Sequence, residues 1–358
     1  MSLSNNFAPV KPSLQLNFAG GANSIDPRIT FTRNSVASYV NKNGKISYAS
    51  ANQPRLDYDP VTGQPLGLTI EGGEINYIQS ACDFTANNGY WQLPQAGSNL
   101  ILPDRIHAPD GTLSADLLLD STTSSRHTIG SLGTSVVTTL DYTASVFVKA
   151  YANTTAPVAM CLYAATSFEA ADRFGTGFNV AAGTLNITGN AGTALVYNNS
   201  AEYYGDGWWR ISVSGTTGVI GTTSLSLFIG VSTLLTDALT VETYTGDGGA
   251  GFYVWGAQLE QSKQQSSFIP STETFTSRAS TASYIGADGY IKTASANTAR
   301  YTYSVLDLSI PPRLLYEPAA TNLYNYSEQI DTYSLTGATV TANNTTSPDG
   351  TSSADKLV

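Results

Sequence analysis

The chain has 358 residues, of which only 12% are charged, and a net charge of −10. Average soluble domains carry roughly 25% charged residues; here Gly, Ser, Thr, Asn and 21 Tyr take up the difference. With no Lys/Arg cluster to oppose the acidic balance, a nucleic-acid phosphate backbone is not an expected partner.

In chain order, residues 1–28 read as an extended segment punctuated by Pro9 and Pro12, expected to order only against a partner. The start MSLSNNFAPVKPSLQLNF has no basic opening and no apolar core, so a secretory leader is not expected. No apolar run approaches the ~18 residues of a membrane span, and membrane insertion is not expected either. Residues 29–77 alternate apolar and polar positions between turn formers, with Asn43-Gly44 marking the tip of a β-hairpin. That connector is too small to hold a core alone and must lean on a neighbour.

Residues 78–272 carry a series of strand patterns: LSADLLLD (Leu113–Asp120), YTASVFVKA (Tyr142–Ala150), VAMCLYAA (Val158–Ala165), FGTGFNV (Phe174–Val180), then GTLNITG, WWRISVSG, SLSLFIGVS (Ser224–Ser232) and FYVWGAQLE (Phe252–Glu260). With no convincing helix among them, the fold class expected is all-β, a two-sheet sandwich of jelly-roll type. Residues 273–325 then repeat the connector, and 326–358 begin a second sandwich that is cut short.

The repeat is written plainly. RNSVASYVNKNGKISYASANQPRLDY, from Arg33 to Tyr58, is answered without a gap by RASTASYIGADGYIKTASANTARYTY, from Arg278 to Tyr303, at a constant offset of 245. Glu71 and Asn76 are answered by Glu317 and Asn322, and PDGTLSAD (Pro109–Asp116) by PDGTSSAD (Pro348–Asp355). The repeating unit is therefore a whole module, not a solenoid repeat of 20–50 residues. Since the second copy has barely begun at Val358, the chain is expected to be a fragment of a longer protein.

The stretches TFTRNSVASYV, PRLDYDPVTGQPLGLTIE and NYIQSACDF, with RLLYEPAATNLYNYSEQID in the second copy, resemble a module common in tailed-bacteriophage tail and virion structural proteins. YYGDGWWRISVSG and FYVWGAQLEQSKQQSSFIPST resemble the carbohydrate-binding-module-like, or concanavalin-like, sandwich that follows it there. The resemblance implies a virion location, attachment to other virion proteins through the N-terminal segment, a homo-oligomer with trimer as the class default, and host cell-surface polysaccharide as ligand. The function it implies is a non-enzymatic tail fibre or similar appendage. A structural head-fibre, decoration or connector protein is the alternative, and a polysaccharide-degrading enzyme the third reading.

Catalytic and cofactor signatures are sparse. His107 and His127 stand in no metal-binding pattern. Gly246, Gly248 and Gly251 match G-x-G-x-x-G but precede a strand instead of opening a helix, which reads as a turn, so no cofactor is expected. Asp110, Asp116 and Asp206 are candidate oxygen donors for a structural calcium ion, with turn capping as the competing reading. Cys82 and Cys161 read as two buried thiols. A paired-carboxylate glycosidase stays open, because its two acids need only meet in space.

Sugars stack their C–H faces on aromatic rings, with polar groups alongside fixing orientation. Strand alternation in WWRISV puts Trp209, Ile211 and Val213 on the core face and Trp208, Arg210 and Ser212 on the other, expected to be accessible. The carbohydrate-binding candidates are Trp208, Arg210, Tyr204 and Trp91. Trp255 is expected in the core with Tyr253, Ala257 and Leu259.

Overall fold

The computed structural model describes residues 29–85, 90–93, 99–135, 140–152, 158–163, 172–216, 224–232, 243–271, 280–296, 298, 300–303, 305, 308, 313–314, 323 and 329–358. The expected tether, 1–28, and much of 273–325 lie outside them. Apart from one 3-10 turn, Ile330–Thr332, the regular elements among the described residues are all strands. The chain divides into two compact units, Met1–Ser271 and Thr272–Val358.

The first unit opens with β1 (Ala37–Val40) paired to β2 (Ile46–Ala49), then β3 (Leu56–Tyr58) paired to β4 (Pro65–Leu68). At the hairpin tip Gly44 takes φ 73°, and a Cβ there would lie 2.3 Å from the Pro60 carbonyl oxygen. Only glycine fits that turn. The sandwich strands follow: β5 (Trp91–Gln92), β6 (Asn99–His107), β7 (Leu113–Asp120), β8 (Ser124–Ser125), β9 (His127–Ser131), β10 (Thr134–Ser135), β11 (Asp141–Ala150) and β12 (Val158–Tyr163). They continue as β13 (Arg173–Asn179), β14 (Thr184–Ala191), β15 (Leu195–Tyr203), β16 (Trp208–Thr216), β17 (Ser224–Val231), β18 (Tyr244–Thr245) and β19 (Gly251–Glu260).

One sheet runs β14-β13-β12-β17-β9-β5, with β10 also on β17, and the other runs β15-β16-β11-β19-β7-β6. Alternate residues of both sheets meet in one core: Val146 and Val148 of β11, Ile211 and Val213 of β16 on one side, Val158 and Met160 of β12, Leu227 and Ile229 of β17 on the other. This is the expected β-sandwich, each strand sending every second side chain inward.

Outward residues of the central strands of the six-stranded sheet are also buried. A second apolar cluster joins Phe147, Trp208 and Trp255 of that sheet to Ile46 of the hairpin and to Ala81, Ala108, Ala115 and Phe268. The hairpin and the segment after β19 therefore cover the sheet from outside. The Ile46 amide donates to the Pro109 carbonyl (3.1 Å), and the Ser38 hydroxyl donates to the Phe268 carbonyl. Asn76 joins three segments: its amide donates to the carbonyls of Ala257 and Ile269, each at 3.0 Å, while its oxygen accepts from Ile78 and Leu259.

Trp255 belongs to this outer cluster and not, as strand alternation suggests, with Ala257 and Leu259, which lie in the inner core. The cause is a register shift between β11 and β19: Phe147 faces Trp255 while Ser145 faces Gln258. Gly256, at φ 64°, is the extra residue, and a bulge of this kind reverses which face the following side chains occupy.

The second unit holds β20 (Ala282–Ile285) paired to β21 (Ile291–Ala294), β22 (Tyr301–Thr302) to β23 (Arg313–Leu314), and β24 (Val340–Thr345) to β25 (Ala354–Leu357). Several of its hydrogen bonds repeat those of the first unit. Ile291 donates to Pro348 O as Ile46 does to Pro109 O, and Arg300 donates to Ser283 O as Arg55 does to Ser38 O. Asp355 accepts from Asn343 N (2.9 Å) as Asp116 accepts from Asp104 N (2.9 Å), and both donors sit at positive φ, 52° and 55°. Ile291 is 38% exposed where Ile46 is 5%.

Phe147 contacts Tyr204, Trp255 and Phe268 edge-on at centroid distances of 5.0, 5.3 and 6.1 Å. Phe147→Ala is expected to cost about 3–5 kcal/mol, read as a lowered urea midpoint of the first unit. A loss below about 1 kcal/mol would mean that the outer cluster is not a second core.

Candidate functional site

Where the hairpin meets the six-stranded sheet, the fit leaves a cleft of about 180 Å³. The hairpin contributes Ser38, Tyr39, Val40 and Ile46, and the β3–β4 pair with its continuation adds Asp57, Thr69 and Glu71. The sheet contributes Glu202, Tyr204 and Arg210, and the segment after β19 supplies Gln265 to Phe268.

Each polar side chain is held by a specific partner. Arg55, buried beneath the hairpin, donates from Nη1 to Ser38 O (3.0 Å), Glu71 Oε2 (2.8 Å) and Ser267 Oγ (2.6 Å). Glu71 also accepts from the Ser267 amide (2.7 Å) and hydroxyl (2.5 Å). Arg210, 2% exposed, donates to Ser266 O (2.7 Å) and Ser145 Oγ (3.0 Å) and lies 5.3 Å over the Phe147 ring. Its Nε has no hydrogen-bond partner, nor has Gln265 Oε1. A buried charge survives when paired, and both arginines have partners enough to stay in place.

The acids respond in opposite directions. Burial raises the pKa of Asp57, only partly offset by the Val40 and Tyr58 amides and by Arg55. Burial likewise raises Glu202, against the pull of Arg210, although much of the Glu202 side chain meets solvent. For Glu71 burial is also the largest single influence and acts upward, but the Ser267 and Arg55 contacts together outweigh it and hold the pKa below its ordinary value. Burial pushes the Tyr204 phenol up to about 12, opposed by Arg210.

Of the four candidates drawn from sequence, the structure brings Arg210 and Tyr204 together in this cleft and leaves the tryptophans out of it. Trp208, expected on an accessible face, is 1% exposed, because the hairpin and Phe268 cover that face; its indole N–H donates to His107 O (3.3 Å). Trp91 is equally buried, its ring 4.7 Å from Phe84 and its N–H on Ser80 O (2.7 Å). The indole that reaches the surface is Trp209, half-buried against Tyr203 (4.8 Å) and Phe178 (5.5 Å). Asp57, Glu202 and Gln265 were not foreseen. Arg55 and Glu71 carried a signal, since both recur in the second copy.

The three Asp residues considered as calcium donors, with turn capping as the other reading, have partners within the chain. Asp110 caps Thr112 through its amide (2.9 Å) and hydroxyl (2.7 Å). Asp116 accepts from the Phe84 and Asp104 amides, its pKa pushed up by burial to about 7. Asp206 pairs with Lys149 at 3.5 Å. Among the described residues no group of three or more His, Cys, Asp or Glu is placed to hold a metal ion. Cys82 is half-buried, while the side chain of Cys161 lies outside the described residues.

No protein-family model matches the chain, and no curated protein matches it. Similar solved structures include a Clostridium thermocellum xylanase 10B with its CBM22-1 and GH10 modules complexed with xylohexaose (14% identity, 55% of this chain and 30% of that one, TM-score 0.28). They also include the enzymatically active domain of bacteriophage CBA120 tailspike protein 4 (10% identity, 52% and 21% covered, TM-score 0.27). A third is a putative sugar binding protein from Bacteroides thetaiotaomicron (13% identity, 52% and 100% covered, TM-score 0.30). At these TM-scores none of the likenesses carries an argument about this chain.

The Glu71 seam gives a pH-dependent test. Because its folded pKa is lowered, its contribution is present above the ordinary carboxylate value of 4.5 and is lost as pH falls through the folded one. Glu71→Gln is expected to lower stability at pH 7 by about 1–3 kcal/mol, with the gap to wild type closing in acid. A gap that stays constant from neutral to strongly acidic pH in urea titrations would remove Glu71 from the seam.

Proposed function

We propose that the chain is a non-enzymatic appendage protein of a tailed-phage virion, a tail fibre or similar, whose β-sandwich modules attach to host-surface glycan. One observation carries this reading: the hairpin connector and the first strand pair that follows it are written twice, down to individual hydrogen bonds. Stringing similar modules along one chain multiplies weak contacts into avidity, a use that suits surface attachment better than catalysis. The resemblance of the hairpin stretches to tail and virion modules supports the particle location. Self-association, with a trimer as the form to test, and attachment through residues 1–28 belong to the same reading.

A purely structural spacer or decoration protein is the second reading. It is favoured by the burial of Trp208 and Trp91, which removes the two most obvious stacking rings from contact with any sugar.

The full chain, labelled and brought to its native oligomeric state, is to be applied to an array of bacterial surface polysaccharides and to a panel of bacterial cells. Saturable binding competed by the free polysaccharide is expected. A folded protein that binds none of them would transfer the role to the spacer.

A further inference from the structure

We infer that the cleft between the hairpin and the six-stranded sheet is a subsite for a single sugar residue, with Asp57 and Glu202 accepting from ring hydroxyls and Arg210 donating to one of them. The inference rests on the glycan-attachment reading above and adds the place and the residues.

Size comes first. At about 180 Å³ the cleft falls below the ~300 Å³ at which pockets begin to enclose drug-sized ligands. It has room for one ring and not for a chain, so a polysaccharide would present a terminal or side-branch residue.

Hydrogen-bonding character then selects the chemistry. The lining offers acceptors in Asp57 and Glu202, whose carboxylates have lone pairs beyond the bonds from Val40 N (2.6 Å) and Gln265 Nε2 (3.3 Å). It also holds a donor without a partner, Nε of the buried Arg210, and an acceptor without a partner, Oε1 of Gln265. Buried polar groups left unpaired are costly. An ammonium group donates only and would leave Arg210 Nε unmet. A phosphate or carboxylate brings negative charge and would face Asp57, Glu71 and Glu202 together. A hydroxyl does both, and vicinal hydroxyls match acceptors and donor at once. Gln265 reaches across to Glu202 by one 3.3 Å bond, and in this proposal that weakly held carboxamide gives way to an incoming hydroxyl.

The second copy bears on specificity. Thr302 stands where the first unit has Asp57, each accepting from the preceding hairpin strand, Ile285 N at 3.0 Å and Val40 N at 2.6 Å. The charged acceptor belongs to the first unit alone.

The test uses the full chain with a panel of methyl glycosides of common hexoses and N-acetylhexosamines, read by saturation-transfer NMR. Ethylamine and inorganic phosphate serve as comparators. At least one glycoside is expected to bind, tenfold or more weakly to Asp57→Asn and to Glu202→Gln, both near-isosteric. Gln265→Ala, which removes the weak bridge to Glu202 together with the unpartnered Oε1 acceptor, is expected to change affinity while leaving the thermal melt unmoved. Tyr197→Ala, outside the cleft, is expected to leave binding as it was. Polysaccharide binding on the array that survives all the cleft variants would overturn the subsite and leave the attachment reading standing. Binding of ethylamine or phosphate in place of every glycoside would overturn the ligand class. No binding to any glycoside or polysaccharide would end both readings.

Discussion

The outer face of the six-stranded sheet cannot be left bare. Phe147, Trp208 and Trp255 project from it, and each large aromatic ring left in water would forfeit roughly 1.5–3 kcal/mol of burial. The hairpin answers that constraint with Ile46 and the closing segment with Phe268. The connector is therefore part of the sandwich's own packing, and the second copy keeps the matching bond between its hairpin and the turn before β25, Ile291 N to Pro348 O. A sandwich copied alone would expose its second core.

The seam between hairpin and sheet is polar around an apolar centre. Arg55 and Arg210 are buried in it and hold themselves by backbone carbonyls and hydroxyls as much as by carboxylates. Such a seam specifies how the two layers register, but rigid polar groups do not fill space as apolar ones do. The cleft is what remains, and its polar character follows from the residues that make the register. Structure and candidate site thus share a cause.

Much of the fold was legible in the sequence. Strands such as LSADLLLD and FYVWGAQLE could be read to within a residue or so, because period-two alternation and turn formers bound them. The polar strand β15, LVYNNSAEY, carried no such signal, and β6 is interrupted at Asp104, which takes positive φ. The repeat announced the module but not its internal packing. Alternation in WWRISV separated Trp208 from Trp209 correctly, yet it could not say that a hairpin some 160 residues earlier in the chain would cover the Trp208 face. A one-residue bulge at Gly256 likewise moved Trp255 to the other face. Asp57 and Glu202 meet at the cleft only through tertiary structure, and nothing local marks either of them.

The central claim is that hairpin and sandwich fold as one cooperative unit, with the cleft at their seam. Native-state hydrogen exchange tests it most directly, comparing the Ile46 amide, bonded across the seam to Pro109, with the Val213 amide in the sandwich core. The account predicts that both exchange only through global opening, with the same free energy and the same denaturant dependence. Exchange at Ile46 orders of magnitude faster, through an opening that leaves Val213 protected, would contradict it.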